Sequence, residues 1–215
     1  MSVPRGAAAI AFLICVSGCS RKPAEPPHPS ASPATPAPSV PAAGASGIGT
    51  VVGTVPAGAT AIVVLEPNDG RSFAPQTEKP VMDQVGLTFG PELLLVRTGQ
   101  PVEFRNNDDT LHNVNVKQDE TREQAFNVAI PTGGSYTYTF ARDGFYHVGC
   151  DIHPAMSAEI VSTTSPYATV ANSDGSFELQ DVEPGAYTVT IYASGAKTRR
   201  DVEVKRGTIT TATSS

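Results

Sequence analysis

The chain has 215 residues, with 15 basic side chains against 21 acidic ones, a formal net charge of −6 and no tryptophan. This modest acidity argues against nucleic acid as a partner. The densest basic stretch, Lys197 to Arg206, is broken by Asp201 and Glu203 and reads as a solvated strand face.

In chain order, residues 1–18 read as a secretory signal: Arg5 supplies the positive start, and Gly6–Val16 form an apolar run too short to span a bilayer. Val16-Ser17-Gly18-Cys19 resembles a bacterial lipobox, which makes Cys19 the lipid-modified N-terminus of the mature chain. Ser20 follows it, and by resemblance to the usual sorting pattern this favours an outer-membrane lipoprotein of the cell envelope, periplasmic or surface-facing. Loss of Arg5 takes the net charge from −6 to about −7. Cys15 leaves with the signal and Cys19 is capped, so Cys150 remains as the one free thiol in an oxidising compartment. A single unpaired cysteine there calls for an explanation, and metal ligation is one. Residues 19–47 carry eight prolines between Pro23 and Pro41 and little that could form a core. They read as an extended tether, with His28 incidental.

From Gly49 onward there is no sustained helical period. Short runs of alternating Val, Thr, Tyr and Phe are separated by Gly, Pro, Asn and Asp, which predicts an all-β chain of antiparallel sandwiches. The predicted strands are Gly49–Val55, Ala61–Glu66, Glu92–Val96, Pro101–Arg105, Leu111–Val116, Ser135–Ala141 and Phe145–Cys150. They continue with Ser157–Ser162, Tyr167–Ala171, Ser176–Leu179, Ala186–Tyr192, Arg199–Val204 and Thr208–Thr211.

The chemistry concentrates in Cys150-Asp-Ile-His153-Pro-Ala-Met156. A thiolate, an imidazole and a thioether this close form a donor set that suits copper, and His₂Cys with a weak axial Met is the blue-copper electron-transfer arrangement. The second imidazole must come from elsewhere. His147 stands at the opposite strand parity from Cys150 in Phe145–Cys150 and is set aside, leaving His112 as the best candidate. Zinc at a structural site usually takes more Cys and His donors than remain here. Multicopper catalysis needs more histidines than His28, His112, His147 and His153, so the expectation is a protein that is not an enzyme.

Two resemblances organise the folded part. Pro91–Gly99, Val102–Asn106, His112-Asn113, Gly144-Phe-Tyr and Cys150-x-x-His153-Pro-x-Met156 together resemble a cupredoxin, the plastocyanin and amicyanin family, within a domain spanning 67–163. The short Cys-to-Met spacing is closer to amicyanin. That resemblance implies a Greek-key β-sandwich holding one type 1 copper ion, with His112, Cys150 and His153 equatorial and Met156 axial. Asn113 would brace the thiolate region. It also implies an electron carrier whose transient redox-protein partner meets the exposed edge of His153, flanked by Pro154 and Ala155. The alternative is a copper-handling module with no redox partner.

The flanks, 48–66 and 164–213, resemble a carboxypeptidase regulatory-like domain. The supporting stretches are Ala171–Leu179, Val182–Thr190 and the Gly-x-Val-x-Gly-x-Val pattern of Gly49–Val55. Neither flank is long enough alone, which suggests one small transthyretin-type sandwich split around the inserted domain. The test is whether Ala61–Leu65 pairs with Ala186–Tyr192.

Overall fold

In the computed structural model, residues 49–58, 60–193 and 196–213 are described. The expected signal, the expected lipidation site Cys19 and the expected tether lie outside them.

The described chain is built from strands. In order these are β1 Gly49–Thr54, β2 Ala61–Pro67, β3 Val81–Val85, β4 Thr88–Gly90, β5 Leu93–Arg97, β6 Pro101–Asn106, β7 His112–Gln118 and β8 Gln124–Ile130. They are followed by β9 Ser135–Thr139, β10 Gly144–Gly149, β11 Ser157–Thr163, β12 Ala168–Val170, β13 Ser176–Val182, β14 Gly185–Ala193, β15 Ala196–Val204 and β16 Thr208–Thr213.

The inserted sandwich packs the sheet β5-β11-β10-β7-β8 on the sheet β4-β3-β6-β9. Its core alternates along each strand, with Val114 and Val116 from β7 and Tyr146 and Val148 from β10 meeting Met82, Val102 and Phe104 from the facing sheet. The flanks form the sheets β13-β1-β16 and β12-β2-β14-β15. β2 pairs antiparallel with β14 from Pro67↔Tyr187 to Ala61↔Ala193, the pairing that a sandwich split around an insertion requires. Val51, Val63, Leu65, Phe177, Tyr187 and Val189 lie in its core.

A third cluster joins the two sandwiches. Ile62 and Val64 of β2, Tyr192 of β14, Leu95 of β5, Phe145 of β10 and Val161 of β11 are buried together. The unbroken apolar runs Ala61–Leu65 and Leu93–Val96 follow from this, because both faces of those strands are covered. In β2, Ala61, Val63 and Leu65 serve the flanking core while Ile62 and Val64 serve the seam. A strand buried on one face would alternate instead.

Three strands escaped the sequence reading. β4 has only three residues, and β3 points just Met82 and Gln84 inward. β8 does alternate through Phe126, Val128 and Ile130, but Gln124, Ala125, Asn127 and Ala129 dilute its strand propensity.

Candidate metal centre

β10 and β11 are antiparallel neighbours closed by the pair Gly149↔Ser157, so residues 150–156 form the connecting loop. The loop is tied across its neck, with the Cys150 N–H donating to the Met156 carbonyl at 3.4 Å and the Met156 N–H to the His153 carbonyl at 2.9 Å. Cys150 continues the inward parity of Tyr146 and Val148, and the structure places all three in the core. Met156 is buried in the same cluster at 2 % exposure. His112 opens β7, the strand next to β10, and has the inward parity of Val114 and Val116.

These elements bring three donor atoms together. His112 Nδ1 lies 3.9 Å from Cys150 Sγ, His153 Nδ1 lies 4.0 Å from the same sulfur, and the two nitrogens are 2.9 Å apart. A point equidistant from all three falls about 2 Å from each, within the reach of metal–nitrogen and metal–sulfur bonds of roughly 2.0–2.3 Å. The trio could therefore hold a metal ion. Cys150, the free cysteine among the described residues, is buried, as is His112, while His153 is partly exposed. Pro154 and Ala155 are exposed beside it.

The surrounding hydrogen bonds decide how these donors are presented. His112 Nε2 lies 2.9 Å from Asp108 Oδ2, which leaves Nδ1 facing the other donors. The same carboxylate accepts the Leu87 N–H at 2.8 Å and the Gly86 N–H at 3.0 Å. Together with His112 these donors hold its carboxyl down at about 2, the Leu87 amide contributing most. Gly86 and Leu87 form the two-residue turn between β3 and β4, closed by Val85↔Thr88, and Leu87 sits at φ 59°. A leucine rarely occupies that left-handed region, and the Asp108 bonds help hold it there.

On the thiol side, Asn113 Oδ1 accepts from the Asp151 N–H at 2.7 Å, the Ile152 N–H at 3.3 Å and the Cys150 thiol at 3.3 Å. The His153 N–H donates to the sulfur at 3.4 Å.

His147 lies away from this centre. Its Nε2 is 2.8 Å from Asp119 Oδ1 and its side chain is 47 % exposed. Sequence reasoning missed Asp108, Asn115 and Asn127. Asp108, four residues before His112, carried a usable signal, whereas the asparagines converge only through strand pairing.

Two family models match overlapping parts of the chain. Residues 77–162 match the family model of copper binding proteins, plastocyanin/azurin family. Residues 149–212 match polysaccharide lyase family 4, domain II, a match that begins at Gly149, the last residue of β10. Among solved structures, the chain is similar to a novel purple cupredoxin from Nitrosopumilus maritimus, at 20% identity over 39% of this chain and 99% of that one, with a TM-score of 0.36. Amicyanin from Paracoccus versutus is 18% identical over 46% of this chain and 96% of its own, with a TM-score of 0.36. A copper-containing nitrite reductase from Thermus scotoductus is 27% identical over 45% of this chain and 26% of its own, again at 0.36. No curated protein matches the chain. Residues 77–162 thus join a match to copper binding proteins of the plastocyanin/azurin family with a donor cluster that could hold a metal ion.

Proposed function

We propose that this protein is a type 1 copper protein that carries single electrons between partner proteins, rather than an enzyme. The observation that carries this reading is the convergence of His112 Nδ1, Cys150 Sγ and His153 Nδ1 from one strand and one tied loop. When bound, copper supplies the one-electron couple Cu(II)/Cu(I). The donor set would fit it: Cys150 as thiolate, His112 and His153 as imidazoles, and the buried Met156 as a weak fourth donor.

This chain's own residues do three things for that chemistry. β7 and the β10–β11 loop fix the donors on a sandwich framework, which would limit how far they shift between oxidation states. Burial of Cys150, His112 and Met156 keeps water from the donors. His153, partly exposed beside Pro154 and Ala155, offers the route for electrons and a small apolar contact for a transient redox partner. Burial of three donors also favours a carrier over a labile copper-handling site. The lipobox-like Val16–Cys19 supports lipid attachment at Cys19, Ser20 after it favours the outer membrane, and the Pro-rich composition of 19–47 suits a tether. The flanking sandwich resembles a regulatory-like module in its turns and supports the insert through the seam.

Copper-loaded protein starting near Gly47 should be intensely coloured by thiolate-to-copper charge transfer and should cycle reversibly in voltammetry. Cys150→Ser should remove the colour and leave the strands' circular dichroism intact. A wild-type protein that stays colourless with copper would refute the assignment.

A further inference from the structure

The loop residue next to the cysteine is an aspartate, and an unusual set of amides converges on it. Asn113 Nδ2 donates to Asp151 Oδ2 at 2.9 Å, and Asn127 Nδ2 donates to the same oxygen at 2.8 Å. Asn115 Nδ2 reaches both carboxylate oxygens, at 2.9 and 3.2 Å. Asn113 and Asn115 share one face of β7, and Asn127 of β8 is the direct cross-strand partner of Asn115. Beyond the pair Gly149↔Asn115, Asp151 meets that polar face from the loop.

We propose that Asp151 is a positioning residue of the metal centre. Its carboxylate, gripped by Asn113, Asn115 and Asn127, fixes which way the Asn113 amide faces and so holds the Cys150–His153 segment ready for metal. Asn113 has two amide hydrogens, and both are spent, one on Asp151 Oδ2 and one on Asn127 Oδ1 at 2.8 Å. Its oxygen must therefore face the loop, where it collects the Asp151 and Ile152 N–H groups and the thiol. A flipped amide would set its carbonyl against the carboxylate and its NH₂ against two backbone donors.

Asn115 shows the strength of the arrangement. Its Nδ2 is committed to Asp151 while its own Oδ1 is buried without a partner among the described residues, a costly state that the carboxylate imposes. Hydrogen bonds to an ionised group are the stronger kind, so the grip outweighs the orphaned carbonyl.

The proposal rests on the copper reading for its purpose, but its first test needs no metal. Amide hydrogen exchange is measured by NMR on metal-free wild type, Asp151→Ala, Asp151→Asn and Asn115→Ala. Exchange of the Ile152 amide should rise about tenfold or more in Asp151→Ala, as expected for losing bonds to a charged acceptor. It should rise less in Asn115→Ala and in Asp151→Asn, which keeps one acceptor oxygen, while β2 and β14 amides exchange as in wild type. In the copper-loaded protein, Asp151→Ala should shift the charge-transfer band. Ile152 exchange within twofold of wild type in both alanine variants would overturn the proposal, as would a parallel rise in β2 and β14, which would mark a general loss of stability. Should Asp151→Ala fail to fold, Asn115→Ala decides by the same measure. A colourless wild type would defeat the copper reading while leaving the exchange result to stand or fall alone.

Discussion

Replacing Asp108 by alanine should weaken copper binding without removing any atom that would touch the metal. The carboxylate holds His112 Nε2 at 2.9 Å and the Leu87 and Gly86 amides at 2.8 and 3.0 Å. Loss of an outer partner of a metal-binding histidine typically costs about 10- to 100-fold in affinity. The upper part of that range applies here, because the His112 side chain is 0 % exposed and that of Asp108 only 13 %. Water cannot readily replace the lost acceptor, the imidazole loses the bond that selects its tautomer, and the turn at Leu87 loses both amide contacts. Asp108→Asn retains an acceptor oxygen and should stay within several-fold of wild type. Copper affinity is read by competition against a calibrated chelator, with the visible band as the reporter of bound metal. An Asp108→Ala protein that binds copper as tightly as wild type would refute the claim that this bond presents Nδ1.

Met156→Leu should keep the colour and raise the reduction potential by loss of a weak axial donor; a lowered potential would show that Met156 does not serve as one. The seam can be probed by a double-mutant cycle on Phe145 and Tyr192, whose rings stack 5.6 Å apart across the two sandwiches. Each alanine substitution should cost about 3–5 kcal/mol in urea denaturation, with a coupling of about 0.5–1.5 kcal/mol between them, and strict additivity would mean that the rings do not support each other. Glu103 has its carboxyl drawn down to about 2 by hydrogen bonds from Arg105 first and Lys79 next. Because its folded value is depressed, the stability it adds is complete above its ordinary value of 4.5 and is lost as pH falls through about 2. Melting temperatures of metal-free wild type and Glu103→Gln should therefore differ steadily above that ordinary value and converge toward pH 2; a gap that persists at acid pH would contradict this.

Much of the fold was legible locally. The alternation in Val102–Phe104 and Tyr146–Val148 marks strands with one core face, because successive side chains in a strand point to opposite sides. The same parity separated His147 from Cys150. β4 was not legible, since three residues carry no period, and β3 was hidden because one of its two inward side chains is Gln84.

What the sequence determined by itself is most of the donor set. Cys150, His153 and Met156 lie within one loop, and covalent spacing keeps them near one another whatever the rest of the chain does. The pattern also announced two sandwiches, since periodicity is a local property. Tertiary structure alone decided the remainder. His112 reaches the thiol because β7 pairs with β10, Asp108 presents its Nδ1, and three asparagines from two strands close on Asp151. The unbroken apolar run of β2 likewise found its reason only in a second sandwich packed on its outer face. Side chains far apart in sequence meet only through strand register, and register is set by the burial of whole faces rather than by any short motif.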